Sequence, residues 1–457
     1  MNTKIKKLIG NSIVFAIGNL GSKVIGIIMV PLYTFLLTTE EYGVIDLSLT
    51  MVSLLLPIVT LSISDALFRF IMDNNYKKKL VISSSAVVLV IMLGLTLITC
   101  IFFKFINLRY WYILLILFVQ AIQLFLSQLL RGLQYIKEFA INGIIMSLVL
   151  ATGNVILLYY AKMGTFGYFL SIILTNVISI IYISFFINYK TYFRLSEISS
   201  QIVLKLLKYS IPLIPNSIMW WLLNASSRFF ILEYLGVQSN GIYAVSNKIP
   251  SLLIILQTIF FQAWQLSAME EENSGDSSIY ASKVFDYFQK FMFLCTLILI
   301  YISKPIIENF VSKSYVSSWN YIPFLLIGVL FSSLSSFIGT QYLVKKKTSG
   351  IMYSSCLGAI INVLSCYILI PILGIHGASL GLLFGFLSVY IYRLISVVKR
   401  YDFTININNQ ILNLILCILM SGIIFLNEWI YVNVLFIFLL FIFFYNNKEL
   451  FKLIKLK

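Results

Sequence analysis

The sequence predicts an all-α protein that crosses a membrane many times, and three observations support this. Of its 457 residues, 60% are hydrophobic and 11% are charged, whereas ordinary soluble domains carry about 25% charged residues. The mean hydropathy is +0.96. The apolar residues form long runs, most of them near or above the ~20 residues that a helix needs to cross a bilayer. We therefore expect a polytopic membrane protein with about 14 transmembrane helices.

The predicted transmembrane helices, called spans 1 to 14, are separated by short polar loops. Their approximate bounds are residues 8–37, 42–68, 80–103, 112–131, 140–161, 166–188, 209–235, 241–265, 284–303, 319–343, 350–370, 376–398, 410–426 and 429–445. Span 1 follows three lysines, as the apolar run of a signal peptide would. Its run is too long for one and lacks a small-residue cleavage site. We therefore expect span 1 to be an uncleaved helix.

The basic residues predict the orientation of these spans. Twenty-five of the 33 Lys and Arg residues fall on the side of the two termini, and five fall on the opposite side. The larger set includes Lys290 and Arg393, while Lys23, Arg228 and Lys248 lie within spans and belong to neither set. Because basic residues concentrate on the cytoplasmic side of membrane proteins, we expect both termini to be cytoplasmic. This distribution explains the net charge of +16 without nucleic-acid binding.

Short matches between the two halves of the chain indicate an internal repeat. They pair residues 41–48 with 239–246 at an offset of 198 residues, and 164–168 with 374–378 at an offset of 210, with Asn-Val pairs at Asn154 and Asn362 preceding the second match. Spans 1–6 and 7–12 are therefore predicted to form two six-helix lobes related as parallel repeats. We expect an N-terminal lobe at 1–188, a cytoplasmic connector at 189–208, a C-terminal lobe at 209–400, and spans 13 and 14 with a basic tail at 401–457.

Polar side chains within the spans predict a cavity that binds an anion. Lys23 lies near the middle of span 1, and Arg228 and Lys248 each lie ~10 Å from the predicted outer turn at a rise of 1.5 Å per residue. Because a charge at such depth costs at least ~2.5–3.5 kcal/mol, it normally faces water or a partner. The candidate substrate-binding residues are Lys23, Arg228, Lys248, Asn19, Asn216, Asn224, Asn247 and Gln262. In the alternative interpretation, Arg228 and Lys248 snorkel outward or pair with Asp46 and Glu233.

Three further charged residues are candidates for a gate or for ion coupling. They are Asp46, within span 2, and Asp65 and Arg69, which lie four residues apart at its end. The spacing of Asp65 and Arg69 also fits a simple ion pair at an interface. The sequence contains no HExxH motif and no glycine-rich phosphate loop, and its five cysteines lack metal-type spacing. We therefore expect no catalytic residue, no metal and no cofactor.

Several short motifs resemble those of one bacterial transporter family. They are Asn-Leu-Gly at 19–21, Pro-Leu-Tyr-Thr at 31–34, Glu-Tyr-Gly at 41–43, Ala-Leu-Phe-Arg-Phe at 66–70, and the turn at 370–378. With these motifs the chain resembles, over essentially its whole length, the oligosaccharide-unit flippases of the Wzx-type polysaccharide transporter family. That family belongs to the multidrug/oligosaccharidyl-lipid/polysaccharide exporter superfamily. The resemblance implies two lobes with alternating access, in the bacterial cytoplasmic (inner) membrane.

The resemblance also implies a substrate and partners. The substrate would be an undecaprenyl-diphosphate-linked oligosaccharide, moved to the outer leaflet for O-antigen or capsule synthesis. Lys23, Arg228 and Lys248 would bind its diphosphate or acidic sugars, while its tail stays in membrane lipid. Polymerase and chain-length proteins of the same pathway are further candidate partners. Two alternatives remain open: a flippase for a peptidoglycan or teichoic-acid precursor, and a multidrug exporter, which would need a buried acidic cluster. A polymerase or ligase would need a larger outer loop than this chain has.

Overall fold

The computed structural model describes residues 25–26, 28–73, 75–102, 111–187, 192–270, 277–344, 349–400, 403–426 and 428–449. In these ranges the chain is helical, with turns and short connections and no β-strand. It divides into two compact units, Asn19–Trp221 and the residues from Leu222 onward. The predicted all-α polytopic fold is therefore confirmed.

We number the α-helices of the described ranges in chain order. The first nine are α1 Val30–Leu36, α2 Thr39–Val59, α3 Ile63–Ile71, α4 Lys78–Phe102, α5 Trp111–Gly132, α6 Ile136–Asn154, α7 Gly164–Phe186, α8 Ser200–Ser210 and α9 Leu213–Ala225. The others are α10 Ser227–Ser246, α11 Lys248–Glu270, α12 Ser277–Phe310, α13 Ile322–Val344, α14 Ser349–Leu373, α15 Ile375–Arg400, α16 Ile407–Ile423 and α17 Trp429–Asn446. The division between the two units falls within α9.

The structure accounts for the predicted spans that its described residues include. Eleven helices in these residues are long and apolar enough to cross a membrane. Spans 8 and 13 correspond to the shorter apolar helices Lys248–Phe261 and Ile407–Ile423. Most of span 1, including Asn19 and Lys23, lies outside the described residues.

Span 2 is two helices rather than one. A capping box of Thr38 and Glu41 begins α2, and Pro57 lies in its last turn. Leu61 and Ser62 then adopt left-handed backbone angles, with φ of 50° and 49°, before α3 begins. Proline has no N–H to continue the helical ladder, so the chain turns here, and the Thr60 hydroxyl donates to the carbonyl of Leu56 at 2.7 Å. The break separates Asp46 on α2 from Asp65 on α3.

The core of the N-terminal unit forms around the short helix α3. One face of α3 is fully buried in a cluster with residues of four other helices. The buried residues include Ile63, Ala66, Leu67 and Ile71 of α3, Val81 of α4, Phe125 and Leu129 of α5, Ile183 of α7 and Leu206 of α8. The buried positions of α3 recur at helical spacing, as expected for one apolar stripe. The opposite face of α3 carries the exposed side chains of Asp65 and Arg69.

Glycines bring α14 and α15 into close contact in the C-terminal unit. Gly377, Gly381 and Gly385 recur at every fourth position of α15. A Cβ atom at Gly377 would lie 2.4 Å from the carbonyl carbon of Leu369, and one at Gly381 would lie 2.6 Å from the Sγ of Cys366. Small residues at this spacing let membrane helices approach closely without a hydrophobic driving force. The packing of α14 on α15 therefore depends on the absence of side chains at these positions.

Polar contacts join the last two helices, α16 and α17, to each other at one end and to α12 at the other. At one end Asn446 donates to Asn409 at 3.0 Å, and Asn447 donates to Asn413 at 3.0 Å. At the other end the ammonium of Lys304, on α12, lies 4.7 Å from the ring centre of Trp319 and 5.7 Å from that of Trp429. Cation–π contacts of this kind are stabilising at membrane interfaces and protein surfaces.

We expect Gly377→Ala to destabilise the protein by about 1–3 kcal/mol, the usual effect of overpacking, because the new methyl group would overlap backbone atoms. Gly94→Ala in α4 is the matched control, since a Cβ atom there meets nothing within 4 Å and alanine favours the helix. Thermal unfolding of both variants in detergent measures the difference. Equal melting temperatures for the two variants would contradict the close approach of α14 and α15.

Candidate functional site

The candidate site residues fall in both units, and each unit is considered by itself. Asn224, Arg228, Asn247, Lys248 and Gln262 belong to the C-terminal unit. Asn216, Asp46, Asp65 and Arg69 belong to the N-terminal unit. Asn19, Lys23 and the side chain of Gln262 lie outside the described residues.

Tyr243 connects three of the candidates in the C-terminal unit. Its ring is fully buried, and the guanidinium carbon of Arg228 lies 5.7 Å from the ring centre. Its carbonyl accepts a hydrogen bond from the side-chain amide of Asn247 at 2.8 Å. Arg228 also donates to the carbonyl of Asn224 at 3.0 Å. The structure thus brings Asn224, Arg228 and Asn247 together, with Lys248 following as the first residue of α11.

Two helix breaks determine where these side chains lie. Ser226 separates α9 from α10, two residues after Asn224 and two before Arg228. Asn247 separates α10 from α11. Ser226 and Asn247 keep right-handed backbone angles, whereas Gly236, with φ of 81°, interrupts α10 with a kink of non-helical backbone. Irregular backbone at membrane depth occurs where protein or a water-filled cavity surrounds it. Both breaks carry polar or basic residues, which is the pattern of a ligand-binding region in a transporter.

Asp46, Thr50 and Ser53 recur at helical spacing along α2 in the N-terminal unit, and only part of this polar stripe is available to a ligand. Thr50 is buried, while Asp46 is half-buried and Ser53 is exposed. The indole of Trp221 donates to the carbonyl of Thr50 and to the Ser53 hydroxyl, each at 3.1 Å. A threonine hydroxyl can donate its hydrogen bond to a carbonyl of its own helix. A polar stripe in the sequence therefore does not by itself define a cavity. Asp46 is the charged position of this stripe.

Asp65 and Arg69 lie on the exposed face of α3, and among the described residues no ion pair joins them. Arg131 instead makes a cation–π contact with the neighbouring Phe68, and its guanidinium carbon lies 4.5 Å from the ring centre. The cation that packs on this part of α3 therefore comes from α5. The gating role of Asp65 and Arg69 therefore stays a prediction.

A charged network in the C-terminal unit was not recognised as a site from the sequence. The distribution of basic residues in the sequence grouped Lys290 with the cytoplasmic-side charges. In the structure it lies within α12 with 4% of its surface exposed. Its ammonium contacts Asp286 at 2.5 Å and Glu449 at 3.3 Å. Asp286 also accepts from Gln289 at 3.0 Å, and Gln289 accepts in turn from Gln410. The spacing of Asp286 and Lys290, four residues apart on one helix, is the sequence signal that indicates this pair.

Arg393 is likewise buried, with 1% of its surface exposed. It lies in α15 and donates to the Ser354 hydroxyl at 2.8 Å, to the Ser335 carbonyl at 2.9 Å and to the Ser355 hydroxyl at 3.3 Å. A Cβ atom at Gly339 would lie 2.7 Å from one guanidinium nitrogen, so this glycine makes room for the cation. Arg393 thus joins α13, α14 and α15, and it is not a loop charge as the sequence suggested.

Comparison with known proteins places the sequence in a family. Residues 8–267 match the family described as polysaccharide biosynthesis protein. No protein of curated function matches the sequence. The resemblance to polysaccharide transporters predicted from the motifs is confirmed by this match and by the folds of solved transporters.

Three solved structures share the fold. The lipid II flippase MurJ, in an inward closed conformation, is 15% identical with a TM-score of 0.74, and the alignment covers 96% of this chain and 99% of that one. A transporter of the MOP superfamily from Pyrococcus furiosus, described for the reverse polarity of its binding pocket, is 16% identical over 87% of this chain and 97% of that one, with a TM-score of 0.61. An outward-facing multidrug resistance MATE family transporter is 15% identical over 87% and 96%, with a TM-score of 0.61. At these identities the likeness shows the fold, which is that of a multi-pass membrane transporter.

We expect Lys290→Met to destabilise the protein by about 2 kcal/mol, because it leaves the partly buried Asp286 without its cation. Glu449→Gln should cost less than about 1 kcal/mol, since Glu449 is largely exposed and its charge is screened by solvent. Thermal unfolding of the two variants, with the exposed Lys283→Met as control, measures the asymmetry. A larger loss for Glu449→Gln than for Lys290→Met would contradict the central role of the buried lysine.

Proposed function

Because the chain belongs to the polysaccharide biosynthesis protein family, we propose that it is a flippase for a lipid-linked oligosaccharide. It moves an undecaprenyl-diphosphate-linked repeat unit from the cytoplasmic to the outer leaflet by alternating access, for synthesis of a surface polysaccharide such as O-antigen or capsule. It acts in the bacterial cytoplasmic membrane with both termini in the cytoplasm. A fold shared with a lipid II flippase supports this proposal.

The observation that carries the proposal is the position of Arg228. This cation lies between two helix breaks, and both Tyr243 and the carbonyl of Asn224 hold it. A planar guanidinium matches the oxygens of a diphosphate and binds them by charge-assisted hydrogen bonds. Lys248, the first residue of α11, directly follows Asn247. Side-chain amides such as that of Asn247 supply both donors and acceptors for sugar hydroxyls. The chemistry of this region fits an anionic glycolipid head group.

The remaining candidates have subordinate roles in the proposal. Lys23 and Asn19 extend the basic region, and Asn216 and Gln262 contribute further amides. Asp46, Asp65 and Arg69 serve gating or ion coupling, with the membrane potential supplying ~2.3 kcal/mol per charge per 100 mV.

The test is complementation in a bacterial strain whose surface polysaccharide stops because its own flippase is deleted. We expect the parent chain to restore the polysaccharide and Arg228→Ala to reduce it at least ~10-fold, the effect of losing one charge-assisted contact to a buried anion. Lys23→Ala and Lys248→Ala are tested in parallel. Lys283→Ala, an exposed lysine of the same unit, is the matched control, with all variants compared at equal membrane abundance.

The outcomes separate the candidate functions. Restoration by the parent and by Arg228→Ala alike would retain the flippase and remove Arg228 from its site. Failure of the parent, together with resistance of the strain to cationic dyes, would replace the proposal with a drug exporter. Restoration of growth in a strain depleted of its peptidoglycan-precursor flippase, without surface polysaccharide, would change the cargo.

A further inference from the structure

The break between α9 and α10 is held by side chains rather than by the regular helical ladder alone. Three successive carbonyls receive side-chain donors there. The Ser226 hydroxyl donates to Leu222 at 2.6 Å, Asn362 donates to Leu223 at 3.4 Å, and Arg228 donates to Asn224 at 3.0 Å. A carbonyl freed by a break inside a membrane must find another donor, because no bulk water is present. These side chains therefore determine the direction in which α10 leaves α9.

Asn362 is the only one of these donors, among the described residues, that comes from another helix. It lies in α14 and is 1% exposed. Its Oδ1 lies 2.8 Å from the Ser226 hydroxyl, whose single proton it shares with the Leu222 carbonyl, while its Nδ2 donates to the Leu223 carbonyl. Both ends of one planar amide thus bind the same break. A Cβ atom at Gly385 would lie 2.8 Å from the Cβ of Asn362, so α15 also fixes the position of this asparagine.

We propose that Asn362 is a positioning residue that fixes the α9–α10 break and thereby sets the direction of Arg228. This inference rests on the proposed function in one respect, that Arg228 contacts the substrate. Asn362 itself is buried behind the break and acts through Ser226 and Leu223. Only an amide satisfies both partners, because a carboxylate cannot donate to Leu223 and an alanine serves neither.

The internal repeat provides a second asparagine that joins the fifth span of its unit to the first. Asn154, which precedes Asn362 by 208 residues in the sequence match, is the last residue of α6 and is fully buried. Its Nδ2 donates to the hydroxyl of Tyr33, on α1, at 2.9 Å. In each unit, therefore, the asparagine of the fifth span donates a hydrogen bond to the first span of that unit. Asn154 lies where α6 changes into a π-helix at Val155–Tyr160, a local change that often marks functional positions.

The Oδ1 of Asn154 is buried and has no hydrogen-bond partner among the described residues. The corresponding atom of Asn362 accepts the Ser226 hydroxyl. The two asparagines are therefore engaged differently, one at both ends of the amide and the other at its donor end. Each asparagine thus hydrogen-bonds the first span of its unit, Asn154 at Tyr33 and Asn362 at Leu223.

The experiment uses the full-length protein in native membranes and has a readout that does not depend on transport. A cysteine is introduced at the exposed position Asn224, and its labelling by a water-soluble maleimide is measured over the background of the parent chain. Asn362→Ala should change the labelling rate about 5- to 10-fold, the size expected for loss of a buried hydrogen bond. The matched control is Asn413→Ala, since Asn413 is equally buried at 1% and equally hydrogen-bonded but lies in α16. Equal labelling in the Asn362 and Asn413 variants would overturn the proposal.

A double-mutant cycle then tests whether Asn362 acts through Arg228. Asn362→Ala should reduce flipping about 5- to 10-fold in the parent and have no further effect when Arg228→Ala is already present, because residues that act together are not additive. Fully multiplicative effects would overturn the positioning role. If Arg228→Ala flips like the parent, the proposed substrate site fails, and the labelling result alone decides whether Asn362 fixes the break.

Discussion

The constraint on which this structure depends is that polar backbone groups inside a membrane must be satisfied without water. A continuous helix meets it automatically, but this chain interrupts its helices after Val59, after Ala225 and at Asn247. At the first two breaks a hydroxyl and an amide side chain donate to backbone carbonyls, those of Leu56 and Leu223. Charged and amide residues lie at or within two residues of the last two interruptions, namely Asn224, Arg228 and Asn247. The irregular backbone and the candidate site are therefore one feature, since each depends on the other.

Lys290 and Arg393, two buried cations of the C-terminal unit, are stabilised away from water in different ways. Lys290 has carboxylate partners, which compensate its charge directly. Arg393 spreads its charge over hydroxyl and carbonyl oxygens of two neighbouring helices, for which its planar fork is well suited. Arg228 differs from both, because it is half-buried and lies over an aromatic ring.

Hydropathy was sufficient to predict the fold class and the approximate positions of the spans, because apolar length is what a bilayer selects. It could not predict the break at Ser62 or the π-helix after Asn154, because hydropathy averaged over about 20 residues does not depend on local backbone geometry. The burial of Lys290 and Arg393 was missed because a basic residue near the end of a span has the same pattern as a loop charge. Arg228 became a candidate because of its depth in the span, and its role in a site stays a prediction.

The network around Lys290 also bears on how the chain is made. Lys290 is separated by 159 residues from Glu449, and Gln289 by 121 from Gln410. At ~5–20 residues per second, synthesis of these distant partners follows by roughly 6–30 s. During that interval α12 must reside in the membrane with its polar face incomplete. Asp286, one turn away on the same helix, neutralises the lysine from the start. The local pair thus protects the nascent helix until the last two helices arrive.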